Sequence, residues 1–340
     1  MGVGIGDIIP KEEREIENLK GRKIAIDAYN TLYQFLSTIR QRDGTPLKDS
    51  KGRTTSHLTG LLYRTSKLIE NDIKPIYVFD GKPPELKRKE IDGRNKRRQK
   101  AKEKYEEALK KGREKEARKH AQRSVKLERE MVENSKNLLK AMKIPIIQSP
   151  GEGEAQAAHI CKKGDVWASS SQDYDSLLYG APKLIRNLTI TGKRKVPNKN
   201  KYVEIKIQEI ELKKALKKID INQDQLIEIG ILIGTDYNEG IKGIGPKTAL
   251  KEVKKGKKAE EVYKENEKEP EVNIDEIRKI FKEPKVTDDY EIKWGRPNKE
   301  EMKKILIEEH DFSRKRVEKV IDKIEKKMSE ETTQTHLGNF

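Results

Sequence analysis

Acidic residues occupy positions in this basic chain where a carboxylate is costly unless a cation meets it. Asp27 follows the apolar run Ile24-Ala25-Ile26, and Asp80 follows Pro75-Ile76-Tyr77-Val78-Phe79. Glu152 and Glu154 lie in Pro150-Gly151-Glu152-Gly153-Glu154-Ala155, while Asp173 and Asp175 lie in Gln172-Asp173-Tyr174-Asp175. Asp236 follows Ile233-Gly234-Thr235. Open parallel sheets present ligand groups at the carboxyl ends of their strands. In extended backbone, residues i and i+2 point the same way, so each acid pair is expected to converge. Taken singly, these residues have plainer readings as helix-terminal dipole partners or turn formers. Taken together they imply a pocket whose carboxylates raise one another's pKa and stay ionised only beside cations. Hard oxygen donors suit Mg²⁺, with Mn²⁺ as a substitute. Such a cluster inside a cationic protein points to two-metal hydrolysis of a phosphodiester, in which one ion lowers the pKa of the attacking water and both stabilise the transferring phosphate.

Other chemistries find less support. The chain has 340 residues, with 75 Lys+Arg against 58 Asp+Glu and a net charge of +17, so a polyanion is the expected partner. Cys161 is the one cysteine, which excludes an internal disulfide. His57, His120, His159, His310 and His336 are scattered, without zinc-ligand spacing. The Gly-x-x-x-x-Gly-Lys-Ser/Thr phosphate loop is absent. The most apolar helical stretch, Leu226 to Ile233, carries Glu228 and is too short to cross a bilayer. With no signal-peptide pattern at the N-terminus, the expectation is an intracellular, soluble, monomeric protein with no membrane partner.

The elements that must carry these acids read as alternating strands and helices. Strands are expected at 22–26, 74–79, 145–147 and 165–170, with a further pair at 184–190 and 202–207 around a Lys/Asn-rich turn. Helices are expected at 57–71, 131–142 and 152–162, and again beyond residue 210. That order predicts an α/β fold with a mostly parallel central sheet and helices on both faces. Between Lys87 and Arg129 stand 19 Lys/Arg and 8 Asp/Glu, so eleven of the seventeen net charges fall in one helix-forming stretch with a thin apolar stripe. A helix that polar projects into solvent, and its one-sided sign argues for nucleic acid.

Several blocks resemble the signatures of flap endonucleases within the XPG-type 5′-nuclease family. They are Ile26-Asp27-Ala28-Tyr29-Asn30, Tyr77-Val78-Phe79-Asp80-Gly81-Lys82-Pro83-Pro84, Gly151-Glu152-Gly153-Glu154-Ala155 and Ser171-Gln172-Asp173-Tyr174-Asp175. To these add Gly234-Thr235-Asp236-Tyr237 and Gly240-Ile241-Lys242-Gly243-Ile244-Gly245-Pro246-Lys247. The blocks run in order along the whole chain, and the absence of a long basic tail resembles archaeal members.

The resemblance implies a PIN-like 5′-nuclease fold with a catalytic set of Lys87, Arg94, Asp27, Asp80, Glu152 and Asp173. It implies Mg²⁺, two ions per site, held by Asp27, Asp80, Glu152, Glu154, Asp173, Asp175 and Asp236. Lys87 and Arg94, seven residues apart, are expected to share a helix face and reach one scissile phosphate. Tyr33 matches an aromatic that stacks on the nucleotide beside the cut. Arg40, Arg64, Gly234, Asp236, Gly243, Gly245 and Lys247 match DNA-binding positions, the glycines within a helix-hairpin-helix turn that approaches duplex phosphates without reading sequence. Gly2 matches an N-terminus near the active site.

The implied organisation is an N-terminal nuclease part (1–86), a basic helical arch (87–130) and an internal nuclease part (131–235) forming one α/β core with the first. A helical region with the helix-hairpin-helix motif (236–328) and a flexible tail (329–340) follow. In that tail Gln334, Leu337 and Phe340 resemble a motif that docks on the sliding clamp, although the usual second terminal aromatic is missing. The expected function is structure-specific 5′ flap endonuclease with 5′-3′ exonuclease activity, acting on branched DNA in Okazaki fragment maturation and long-patch base-excision repair. A junction-resolving or 5′ exonuclease of the same superfamily, or a non-catalytic DNA-binding protein, are the alternatives.

Overall fold

A computed structural model of the chain describes all residues except 1, 42, 191–192, 196–201 and 338–340, and leaves the side chains of 193–195, 202–203 and 329–337 undescribed. The strands are β1 (Glu12–Arg14), β2 (Lys23–Asp27), β3 (Lys74–Phe79), β4 (Ile146–Gln148), β5 (Ala168–Ser170), β6 (Lys183–Arg186), β7 (Lys193–Lys195), β8 (Tyr202–Glu204) and β9 (Ile207–Glu211). The helices of the first half are α1 (Ala28–Thr38), α2 (Ser56–Glu70), α3 (Arg88–Lys110), α4 (Glu114–Arg123), α5 (Arg129–Ala141), α6 (Gly153–Lys162) and α7 (Asp175–Leu178). Those of the second half are α8 (Leu212–Ile219), α9 (Gln223–Ile233), α10 (Pro246–Lys254), α11 (Ala259–Glu265), α12 (Ile274–Lys282), α13 (Lys299–Lys303) and α14 (Arg314–Leu337). No described helix is long and apolar enough to cross a membrane.

Seven strands form one sheet in the order β1-β9-β6-β5-β2-β3-β4. Pairing is parallel for β2 with β5 and for β5 with β6, and antiparallel for β6 with β9 and β9 with β1, so the sheet is mixed. The expected partnership of 184–190 with 202–207 is corrected here. Strand β6 pairs instead with β9, and β8 pairs with β7 in a separate ribbon. The reason is burial: Leu184 and Ile185 are covered, and so is Ile210 opposite Leu184. Leu184 and Ile185 face opposite sides of the sheet and both are covered, which suits a strand lying inside the sheet between β5 and β9.

The chain forms two compact units: Met1–Asp27, Val78–Ile91 and Gln148–Asp289 in the first, and Ala28–Tyr77, Asp92–Ile147 and Tyr290–Phe340 in the second. Each unit gathers segments that lie far apart in the sequence, because contacts in space define a unit. The first unit packs around α9, whose Leu226, Ile227, Ile229, Ile231 and Leu232 are buried with Leu177, Leu178, Ile210 and Phe281. Each such side chain contributes about 1.5–3 kcal/mol by leaving water. Asn222 and Gln225 close a capping box at the start of α9. Glu228, buried on the same helix, accepts from Arg278 Nε (2.7 Å) and Nη2 (2.9 Å) and from the Ala259 N–H (2.8 Å), which satisfies its charge.

In the second unit α2 buries Leu58, Leu61, Leu62 and Leu68, and α1 buries Leu32, Phe35 and Leu36. The basic stretch forms two helices rather than one. Gly112, in the left-handed region (φ +65°), breaks it between α3 and α4. Only Ala101 and Ala108 are buried on α3, and only Ala117 and Ala121 on α4. Residues 329–337, expected as a flexible tail, continue α14, with Gln334 and Leu337 on that helix. Phe340 lies outside the described residues.

Candidate active site

All seven acids, together with Lys87, belong to the first unit. Asp27 is the last residue of β2 and is buried, and Asp80 follows β3 directly. Glu152 is the N-cap of α6 and Glu154 sits in its first turn. Asp175 opens α7, with Asp173 two residues before it. Asp236 follows α9 in a turn that needs Gly234 at φ +97°, where a Cβ would fall 2.7 Å from the Glu239 carbonyl oxygen. Asn238 Nδ2 then donates to Ile231 O (2.7 Å) and Thr235 Oγ1 to Asn238 Oδ1 (2.8 Å), locking that turn.

The acid pairs are not presented by extended backbone, as the i, i+2 argument expected. Glu154 and Asp175 stand at helix N-termini, where the free N–H groups and the dipole favour negative charge. The Gly153 N–H donates to Asp80 Oδ1 at 2.6 Å, and a Cβ on Gly153 would come equally close to that oxygen. Only glycine permits the approach. The Val3 N–H donates to Asp175 Oδ1 (2.6 Å), and a Cβ on Gly2 would lie 2.5 Å from Asp173 Cβ. The N-terminal segment is thus packed on the acid loop. Val3 had no signal of its own in the sequence, because its contribution is a backbone N–H.

Electrostatics tie the acids together. Burial, then the charges of Glu152 and Asp236, push Asp80 up to about 6 against the pull of Lys87 and the Gly153 N–H. Burial and the neighbouring Asp173 and Asp236 charges push Asp175 up to about 7. Glu154 is raised by burial and by Asp175, Asp27 and Asp173. Lys87 ends the 3₁₀ turn Glu85–Lys87, and its Nζ pairs with Glu152 Oε2 and, at 3.2 Å, with Asp236 Oδ2. Burial alone would lower its pKa, but Glu152 and Asp236 outweigh it and hold the ammonium charged.

Among the described residues, no three of Asp, Glu, His or Cys stand close enough to hold a metal ion as the side chains lie. Lys87 is the cation between Glu152 and Asp236, and like charges keep carboxylates apart. The donor set nonetheless suits a hard divalent cation. It consists of carboxylates alone, and Glu152 Oε1 is buried with no hydrogen-bond partner among the described residues.

The expected DNA contacts are divided between the units. Gly243 (φ +96°) and Gly245, the N-cap of α10, leave open space where a Cβ would stand, and Lys247 is exposed in the first turn. This backbone is open to a phosphate. In the second unit, Arg98 lies 4.8 Å over the ring of Tyr33, covering one face. Arg40 donates to Leu36 O and Gly44 O, both at 2.7 Å, and burial lowers its pKa, as it does that of Arg64 on α2. Arg94 lies on α3, whereas Lys87 belongs to the preceding 3₁₀ turn, so the single shared helix face is corrected to two adjoining elements.

Comparison with known proteins meets this geometry. The XPG N-terminal domain matches residues 1–101 and the XPG I-region matches residues 143–236. Flap endonuclease 1 of Thermococcus onnurineus is 55% identical over 327 residues, covering 96% of this chain and 95% of that protein. The Staphylothermus marinus relative of the same name is 54% identical over 344 residues, covering 99% and 98%. Among solved structures, flap endonuclease-1 from Methanococcus jannaschii aligns with a TM-score of 0.77 at 47% identity, covering 97% of this chain and all of that one. The catalytic core of Rad2 in complex with DNA substrate shares the fold at 22% identity and a TM-score of 0.67. These relatives define the class, a structure-specific nuclease. Within that class, the chain belongs to the flap endonuclease family, whose members act on DNA and depend on divalent metal.

Proposed function

We propose that the enzyme hydrolyses one phosphodiester at the base of a 5′ DNA flap, with two Mg²⁺ ions held by Asp27, Asp80, Glu152, Glu154, Asp173, Asp175 and Asp236. The observation that carries this reading is the gathering of acids from five separate segments. Asp80 accepts from the Gly153 N–H next to Glu152, Lys87 bridges Glu152 and Asp236, and Asp175 accepts from the Val3 N–H beside Asp173. Burial and the neighbouring acids raise Asp80, Glu154 and Asp175. Bound divalent ions supply Lewis acidity and an ionised water at neutral pH. Lys87 brings a fixed positive charge to the phosphate, and Arg94 a guanidinium able to bond it bidentately. When DNA enters, Lys87 exchanges its carboxylate partners for the phosphate, so it is held charged until needed. Tyr33 stacks on the nucleotide beside the cut, displacing Arg98 from its ring face.

Gly243, Gly245 and Lys247 grip duplex phosphates without reading bases, and Arg40 and Arg64 add duplex contacts. Specificity then lies in the shape of the junction. The C-terminal Gln334, Leu337 and Phe340 dock on a sliding clamp, which places the activity in Okazaki fragment maturation and long-patch base-excision repair. The test is cleavage of a 5′-labelled double-flap DNA with and without chelator. One main cut just inside the duplex, absent in EDTA, is the expected result; full-speed cutting in EDTA would overturn the metal assignment.

A further inference from the structure

The loop that carries Asp173 and Asp175 is gripped by a side chain that no motif singles out. Strands β5 and β6 run parallel with Ser170 opposite Ile185, so Arg186 stands at the end of β6 beside the chain as it leaves β5. Its guanidinium donates twice to the Gln172 carbonyl oxygen, from Nε (3.1 Å) and Nη2 (2.9 Å). Nη1 donates to the Tyr174 hydroxyl (2.5 Å) and to Gln208 Oε1 (3.0 Å), Gln208 being the residue opposite Arg186 on β9. The Arg186 Cζ also lies 4.0 Å from the centre of the Tyr174 ring. The residue before Asp173 is therefore held by its carbonyl and the residue after it by its ring and hydroxyl. The planar fork that does this has no equivalent in lysine, which offers one point charge on a flexible stem.

We propose that Arg186 is a positioning residue that sets the Asp173–Asp175 carboxylates for divalent-ion binding. The inference rests on the metal assignment made above. Outer groups that orient metal ligands typically carry about 10–100-fold in affinity or activity. The test compares wild type with R186K, R186Q and Y174F, each first checked for an unchanged melting temperature within a few degrees. Mn²⁺ binding to the protein without DNA is followed by electron paramagnetic resonance. Single-turnover flap cleavage and DNA affinity in Ca²⁺ are measured in parallel.

In R186K and R186Q, Mn²⁺ affinity and single-turnover rate are both expected to fall by about tenfold or more, with DNA affinity unchanged and extra Mg²⁺ restoring part of the rate. Y174F keeps the ring under the guanidinium and loses only the hydroxyl acceptor, so a smaller loss of the same kind is expected. Should R186Q fail to fold, R186K and Y174F decide the matter alone. A wild-type-like R186K beside a defective R186Q would mean that charge alone acts, and would overturn the proposal. So would unchanged Mn²⁺ binding in both Arg186 variants, or a DNA-affinity loss that accounts for the whole rate loss. Failure of wild type to bind Mn²⁺ or to need metal for cleavage would instead sink the metal assignment itself.

Discussion

The acid site of the first unit and the basic helices α3 and α4 of the arch stretch carry opposite charge, and the chain holds them in opposite ways. The carboxylates sit at strand ends, helix N-termini and turns, buried or half-buried, and four of them have a named partner: the Gly153 N–H on Asp80, the Val3 N–H on Asp175, and Lys87 on Glu152 and Asp236. The basic side chains of α3 and α4 project from helices that bury four alanines between them and are otherwise half-exposed or exposed. Buried charges interact strongly and tolerate little displacement, whereas exposed ones are screened within about 10 Å at moderate salt. The first region works through the position of single atoms and the second through a summed field. Single substitutions should therefore separate them.

The largest effect is expected from Asp80→Ala. Cleavage should fall by about two to three orders of magnitude while flap DNA still binds, as checked by single-turnover kinetics beside a binding titration. An unchanged rate would remove the contrast altogether. Lys87→Ala should cost about a hundredfold in the single-turnover rate, because a preorganised charge aimed at the phosphate is lost. Loss of affinity alone would reassign Lys87 to the field of the basic helices.

A third test uses pH in chelator. Asp175 titrates near 7 in the folded protein against an ordinary aspartate value of 3.8, so the fold binds the extra proton. Its contribution is most favourable below pH 4 and is lost as pH rises toward 7. Asp175→Asn should gain stability over wild type across that window, on the order of 1 kcal/mol per pH unit, as measured by thermal denaturation. Saturating Mg²⁺ should erase the gain. The smallest effect belongs to the exposed pair Lys100→Ala and Lys104→Ala on α3. It should leave the low-salt rate nearly unchanged and flatten the dependence of log affinity on log salt by about one per lysine. A strong rate loss there would mean that α3 acts by geometry as well.

Much of the site was legible because its parts are local. Asp27 and Asp80 were marked by the apolar runs before them, Glu152 and Glu154 by a glycine-bounded helix start, and the basic stretch by its one-sided charge. The break at Gly112 turns on one glycine in left-handed backbone, a local signal that the count of charges passed over. The partnership of β6 with β9 was not legible, because it depends on which faces are covered once the chain has folded. Arg186 escaped for the same reason, since one arginine at a strand end carries no signal until a parallel neighbour brings Gln172 and Tyr174 beside it.

By itself, then, the amino-acid order determined which carboxylates exist, which apolar runs precede them and that the partner is a polyanion, because hydrophobic periodicity and charge are properties of short segments. Tertiary structure alone decided that burial, and then the charges of neighbouring acids, make Asp80, Glu154 and Asp175 hold protons more tightly than usual, and that Lys87 is the cation set between Glu152 and Asp236. Desolvation and Coulomb interaction depend on distance in space, and residues 27, 80, 152, 175 and 236 become neighbours only when the sheet has formed.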